Sequence, residues 1–352
     1  MTFSDVLAAL AVVLNGLPQA LLALSYGFAA LPTSLAFAVG TAGALIFKTV
    51  TPISFQAETI VMAGSLSDKR EERLSMILWT GLLMAVIGAL GLLTPTIDFI
   101  GPSILNAMMA GVGIILAKVG IDMTKANPVV GSVSIASALL IHTITGDLVY
   151  TIVGSVILSS LAAIFGKNNK EVDSGNLAHE KFQFMKPIMN KRVFRGILAL
   201  TTLTIGGNIA YGSITASIAS STANIDHLTL YSGLASSLSA AFGGGPVEAV
   251  ISGTAAAPNP MLSGILMMVI MGIILILGLL PKLAKYVPSQ SIAGFLLVLG
   301  AIVVFPTNME IAFEGNSIIA SGTTIVTAAI DPFAGMLAGV ILRALLMITG
   351  GI

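Results

Sequence analysis

The sequence predicts an all-α polytopic membrane protein with 14 transmembrane segments arranged as two inverted repeats of seven. Three observations carry this: the composition, an internal repeat at a nearly constant offset, and two broken apolar segments at equivalent places in the repeats. Of the 352 residues 56% are apolar and 9% charged, and the mean hydropathy is +1.00. A soluble domain has roughly a quarter of its residues charged, so a soluble enzyme is excluded. A helix needs roughly 20 apolar residues to cross ~30 Å of hydrocarbon, and a chain of this length has room for about fourteen crossings.

In chain order the predicted spans are 6–24, 28–47, 57–65, 75–94, 102–121, 127–143 and 147–166, then 195–214, 228–242, 246–256, 261–280, 287–306, 314–329 and 332–349. The first span carries no Lys or Arg before its apolar run, so it reads as a retained helix and not as a signal peptide. This gives a first repeat (1–166), a cytoplasmic or polar linker (167–194) and a second repeat (195–352). The repeat is visible residue by residue. Pro95, Pro102 and Ser103 match Pro281, Pro288 and Ser289 at an offset of 186, and Asp147 matches Asp331 at an offset of 184. An odd number of spans per repeat turns the second copy upside down, which is the build of many secondary transporters.

Basic residues set the orientation. Lys69, Arg70, Arg73, Lys118, Lys125, Lys282, Lys285 and the basic residues of the linker fall in loops after odd-numbered spans, against Lys48 on the other face. The positive-inside rule places the linker in the cytoplasm and both termini outside, in a plasma (inner) membrane. The net charge is zero and there is no cysteine. A nucleic-acid partner, disulfides and thiolate metal sites are therefore not expected, and His179 and His227 have no partner set for a metal. No HExxH or GxSxG motif occurs, so no intramembrane enzyme is expected.

The third and tenth spans, KTVTPISFQAETIVMAGS (48–65) and AFGGGPVEAVISGTAAAPNP (241–260), begin with helix breakers and then place a glutamate where an apolar helix restarts. Broken backbone at membrane depth is tolerated where it is packed in protein or lines a cavity. Half-helices at 57–65 and 246–256 are thus predicted to face each other across a binding site, with Glu58 and Glu248 in their first turns. Each glutamate reads either as a cap of its own helix or as a substrate and proton-coupling group. Ser54 and Gln56 precede Glu58. Gln19, Asn15 and Tyr26 in the first span, and Asn208 and Tyr211 in the eighth, read as substrate contacts or as interhelical hydrogen bonds. Gly243, Gly244 and Gly245 permit the break or let backbone approach a flat ring. Asp147 and Asp331 read as helix caps, and Arg343 as a headgroup or packing contact.

Two inverted sevens with acid-bearing third and tenth breaks resemble the nucleobase-cation symporter and nucleobase-ascorbate transporter superfamily, whose fold is shared with sulfate and bicarbonate transporters. TPISFQAETIVMAG (51–64) is similar to the tenth-span motif of bacterial uracil permeases. GGGPVEAVISGTAAAP (243–258) with PKLAKYVPSQSIAGFLLVLG (281–300) resembles purine permeases. The resemblance implies substrate-binding roles for Glu58 and Glu248, a core of spans 1–4 and 8–11, and a gate of spans 5–7 and 12–14 that forms a homodimer. It also implies nucleobase symport by an elevator-like shift, with a proton or sodium as coupling ion and no other cofactor. The eighth span departs by carrying Asn208 where the family has an acid, and together with the basic loops this suggests that the two repeats have exchanged roles. The alternative cargo is an inorganic anion or small carboxylate on the same fold, and a non-transporting scaffold or receptor ranks below both.

Overall fold

The structure, a computed structural model, describes residues 1–146, 148–165, 181–284 and 288–350. The first repeat runs α1 (Phe3–Ser25), α2 (Ala30–Phe47), β1 (Ile53–Phe55), α3 (Ala57–Leu66), α4 (Arg70–Ala89), α5 (Leu93–Ile100), α6 (Pro102–Ala126), α7 (Pro128–Thr145) and α8 (Leu148–Phe165). The second runs α9 (Lys191–Ile218), α10 (Ile225–Ala241), β2 (Val247–Ala249), a 3-10 turn (Gly253–Ala256), α11 (Pro260–Ile276) and α12 (Leu279–Ala284). It continues through a 3-10 turn at Ser289–Ile292, α13 (Ala293–Leu297), a π-helical stretch (Val298–Val304) and α14 (Phe305–Phe313), then α15 (Ser317–Ala329) and α16 (Pro332–Thr349). Six of these helices are long and apolar enough to cross a membrane. The described elements follow the predicted order of two inverted sevens, with the tenth segment extended and not helical, and the short α5 and α12 stand at the same place in each repeat.

The boundaries shift where capping overrides hydropathy. The eighth segment starts at Lys191 and not at 195, because the Asn190 side chain accepts the Val193 N–H at 2.8 Å. The twelfth extends to Phe313 and not to 306, because the π-helical stretch carries the chain through Pro306 without a break. Asp331 is the N-cap of α16, accepting the Ala334 N–H at 2.8 Å. Arg343 binds backbone and not a headgroup: it donates to the carbonyls of Phe99 and Ile100 at 2.7 and 2.9 Å, and so caps the C-terminal end of α5. The other end of α5 is held by Asp226 of α10, which accepts the Leu93 N–H. His227 lies in the first turn of α10, stacked on Phe47, and not in a loop. Asp147, Lys285, His179 and most of the linker lie outside the described residues.

The helices pack in two groups. In one, α2 and α4 sandwich α10, with α11 on the other side of α2 and α1 against α11. Gly81 of α4 and Gly233 of α10 meet backbone to backbone; a Cβ on either would lie 2.5 Å from the other's carbonyl oxygen. In the other group α6 is surrounded by α13, α14, α15 and α16, with α7 paired to α8. The groups meet where α9 touches α6 and α16, and where α1 touches α8 and the 289–292 turn.

Between them the two broken segments cross. α2 ends at a left-handed Lys48 (φ 51°) and α10 at Phe242 before a left-handed Gly243 (φ 95°). Pro52 and Pro246 keep the chain from re-entering a helix at once, and the released backbone pairs as an antiparallel two-stranded sheet, Ile53 opposite Ala249, Ser54 opposite Glu248 and Phe55 opposite Val247. Hydroxyls satisfy what the sheet does not. Ser236 Oγ bonds both N–H and C=O of Val247, Ser239 Oγ donates to Gly245 O, Thr215 Oγ1 donates to Val250 O, and Tyr231 Oη donates to Thr51 O. The serines and threonines of α9 and α10 therefore replace the water that broken backbone would have outside a membrane.

Candidate functional site

α3 forms because Ala57 to Ala63 contains no Gly or Pro, and it starts only at Ala57 because Ile53–Phe55 are held in β1 and Gln56 caps the helix in an extended conformation. Its N-cap, Gln56, makes no capping bond with its own side chain; Gln19 of α1 reaches across, and its Oε1 accepts the Ala57 N–H at 3.1 Å. Glu58, in the first turn, is 5% exposed and accepts a hydrogen bond from Tyr211 Oη of α9 at 2.9 Å. A negative group in the first turn complements the positive end of α3, and the phenol fixes its direction.

These residues face a cavity of about 380 Å³ between the two groups of helices. Ser54, Gln56, Glu58, Gln19 and Tyr211 supply its polar wall, and Phe55, Ile209, Phe295 and Leu299 much of its apolar wall. Two buried polar atoms on this wall, Ser54 Oγ and Gln56 Oε1, have no hydrogen-bond partner among the described residues. Unsatisfied buried polar atoms are costly, and those that line a cavity are placed to meet something that enters it. Lining residues change from buried at Phe55 and Phe295 to exposed at Ile251 and Thr307. The exposed ones, with Asn106 at the start of α6 and Leu148 at the start of α8, lie toward the face that carries both chain termini.

The tenth segment does not mirror the third. Instead of a half-helix over 246–256 with Pro246 at its first position, the chain extends through β2, and its only helical turn is the four residues Gly253–Ala256. Gly253 weakens a helix there and Pro258 forces Ala257 into an extended conformation (φ −73°, ψ 156°). Glu248 is thus a strand residue. Its side chain points away from the cavity toward α4, α9 and α10, where Thr204 Oγ1 donates to its Oε1 at 2.8 Å. The void beside it is about 10 Å³, the size of one water, and is edged by Thr59, Thr80, Ser232 and Ser236.

Four other expected contacts lie away from the cavity. Asn208 is fully buried against α10, donating to Thr229 and Ser232 at 3.2 and 3.4 Å. Gly244 forms a bridge with Ala29, and its missing Cβ leaves room for Thr33 and Ser239. The Gly245 N–H donates to Thr33 Oγ1 at 2.8 Å. Tyr26 lies under Arg73, 5.5 Å from guanidinium to ring centre. The structure therefore brings Gln19, Ser54, Gln56, Glu58 and Tyr211 together and leaves Glu248, Asn208, Gly244 and Gly245 in packed walls. Sequence reading missed Phe295, Thr307 and Asn308, which line the cavity from the second group. The π-helical stretch between them is a recurrent mark of functional sites but has no signature in sequence.

No family model and no curated protein matches the sequence. The nucleobase-transporter resemblance therefore rests on the broken segments alone. Solved structures are similar over nearly the whole chain. The transmembrane domain of a cyanobacterium bicarbonate transporter, BicA, superposes with a TM-score of 0.73 at 14% identity, over 95% of this chain and 98% of that one. SLC26A9 superposes at 0.70 and 14% identity, over 99% of this chain and 65% of that one. The murine Slc26a9 anion transporter in its inward-facing state gives 0.66 and 14%, over 99% and 68%. This chain spans about two thirds of the length of either SLC26A9 chain. The shared feature is the fold, and on that fold this chain is a multi-pass membrane protein of two inverted sevens.

Proposed function

We propose that the chain is a secondary transporter and that its cargo is a small anion, bicarbonate or a short carboxylate, bound at the N-terminal end of α3. The observation that carries this is the cavity itself, where a helix N-terminus and an unpartnered Ser54 hydroxyl meet at the crossing of the broken segments. The positive end of α3 and the Ser54 O–H are suited to a negative oxygen. Phe55 and Phe295 offer an apolar flank to a short carboxylate. Among the described residues no Lys or Arg lines the cavity, and Glu58 would repel an anion unless it carries a proton. Anion and proton therefore bind together, and the pair crosses with no net charge. The fold's likeness to a bicarbonate transporter and to an anion transporter supports the same reading. Transport follows from the α1, α2, α4, α9, α10, α11 group, the core, shifting against the α6–α8 and α13–α16 group, the gate.

A second reading has an observation of its own. Gln56 Oε1 and the Glu58 carboxylate are both acceptors, and a neutral planar ligand with N–H donors, a nucleobase, would pair with both. Uptake into proteoliposomes separates the two. Labelled bicarbonate, formate and acetate are expected to accumulate under an inward proton gradient, with acidification of the lumen, whereas uracil and xanthine are not. Saturable nucleobase uptake without anion uptake would reverse the assignment, and no flux of either would reject transport.

A further inference from the structure

Among the described residues three ion pairs occur. Lys125 with Asp122 lies within α6, and Arg192 with Glu72 joins α9 to α4 inside one group. Of these, only Arg195 with Asp331 joins the two groups, from the second turn of α9 to the N-cap of α16, with N to O distances of 2.7 Å from both Nη2 and Nε. Counting crossings, both residues stand on the face of the linker, because α9 leaves that face and α16 starts from it five segments after α9 has ended. The cavity opens on the other face, at Thr307 and Ile251. Asp331 is 1% exposed, whereas the Arg195 side chain is 56% exposed. The arginine thus covers a buried carboxylate from the aqueous side.

From this arrangement we infer that Arg195–Asp331 is a latch that holds the two groups closed on the linker face while the cavity is open on the opposite face. The inference rests on the two-group motion proposed above. Sliding of α9 against α16 separates the guanidinium from the carboxylate. Asp331 is then left buried with only the Ala334 N–H, which favours the latched state. Both partners are matched in geometry: the Nε and Nη2 fork meets a single carboxylate oxygen, and the other oxygen stays on the helix N-terminus. α5 plays the opposite part on the termini face, tied at one end to α10 through Asp226 and at the other to α16 through Arg343. It links the groups through backbone carbonyls and a cap, and a short helix held at both ends can pivot where a buried ion pair must break.

The chain has no cysteine, so spin labels can be placed without background. Labels at Lys69→Cys, on the exposed turn before α4, and Ile330→Cys, on the exposed turn before α16, report the separation of the groups on the linker face by dipolar EPR and need no cargo. The parent is expected to show one dominant short distance. Arg195→Gln and Asp331→Asn, which keeps the cap of α16, should each raise the share of a longer distance at least about three-fold, as expected for loss of a partly buried pair from a two-state balance. Combining the two substitutions should add little, since either one opens the latch. Unchanged distance distributions in both single variants would overturn the latch. Because the measurement uses no substrate, that failure is distinct from failure of the anion assignment, which the uptake assay decides.

Discussion

The third and tenth segments occupy equivalent places in the two repeats, each breaks at Pro or Gly, and each carries one glutamate. In the third the chain re-enters a helix at once, so Glu58 sits at the head of ten helical residues and faces a cavity. In the tenth Gly253, Pro258 and Pro260 leave room for only one 3-10 turn, and Glu248 remains in the strand with its carboxyl turned into the wall. The two carboxylates thus divide two roles that their matching positions would assign to both. One faces the cavity and the other is packed against Thr204 in the wall, which is the basis for proposing a cargo role for the first and a structural role for the second. An inverted repeat supplies two copies of a break, and a few Gly and Pro residues decide which copy becomes the site.

The sharpest way to break the comparison is to disturb the wall on which Glu248 depends. Gly81→Val or Gly233→Val places a branched side chain where α4 and α10 touch through backbone. Overpacking of this kind costs about 1–3 kcal/mol or more, and neither backbone can yield without moving the serines that hold β2. We expect loss of the monodisperse peak on size-exclusion chromatography in detergent for both variants. A well-folded Gly233→Val protein would show that the crossing is looser than described.

Next in size is the contrast between the two acids. Glu58→Gln keeps shape and a hydrogen-bond partner for Tyr211 but removes the proton carrier, so anion uptake should fall at least about ten-fold and the remaining flux should lose its dependence on the proton gradient. Its thermal midpoint should change little. Glu248→Ala should do the reverse, costing about 2–4 kcal/mol by leaving a cavity and an unpaired Thr204 hydroxyl, while anion affinity in the surviving folded fraction is retained. Thermal unfolding and uptake measured on the same preparations check both halves. Equal loss of transport in Glu248→Gln, with an unchanged midpoint, would put Glu248 in the transport cycle and erase the division.

Much of this was legible in the sequence, for physical reasons that can be named. The repeat, the count of segments and the position of both breaks follow from hydropathy, Pro and Gly, all of which are local. Ser54, Gln56 and Glu58 stand out at the first break, and Gln19 and Tyr211 on the first and eighth spans expected to pack beside the breaks; the structure groups all five around one cavity. What sequence could not carry was direction. Ser54 and Glu248 stand opposite each other in the sheet, yet Ser54 lines the cavity and Glu248 meets Thr204 of α9, and only the tertiary contacts of the two segments fix which neighbour each side chain reaches. Asn208 and Tyr211 both read from sequence as substrate contacts or as interhelical hydrogen bonds. Yet a helix separates residues three apart enough for one to reach the cavity and the other to reach α10. The Arg195–Asp331 pair joins residues 136 apart in the chain and leaves no pattern at all.

A smaller effect sharpens the site side. Tyr211→Phe removes the one phenol bonded to Glu58 and leaves the cavity shape unchanged. Losing this donor weakens the ionised form of Glu58 and so favours the proton that must bind with the anion. We expect anion affinity to rise about three- to ten-fold at pH values where the parent's Glu58 is ionised, and the thermal midpoint to move by no more than about 2 °C. Isothermal titration with formate over a range of pH is the measurement. A Tyr211→Phe protein with parental affinity at every pH would mean that the phenol only packs.

The smallest effect discriminates between cargo contact and packing defect at Ser54. Its hydroxyl is buried, unpartnered and opposite Glu248 in the sheet. With the cavity empty, that hydroxyl costs desolvation without return, so Ser54→Ala should leave stability unchanged or raise it by a few tenths of a kcal/mol. If cargo accepts a hydrogen bond from Ser54, the same substitution should weaken binding about three-fold, so that stability and affinity move in opposite directions. A residue that merely packs would move both the same way or neither. The corresponding change beside the other strand, Thr204→Val in α9, removes the donor to Glu248 and should lower stability without touching affinity. The pair of substitutions thus tests on hydroxyls what the glutamates test on charge: that cargo is read from the third segment and the fold is held by the tenth.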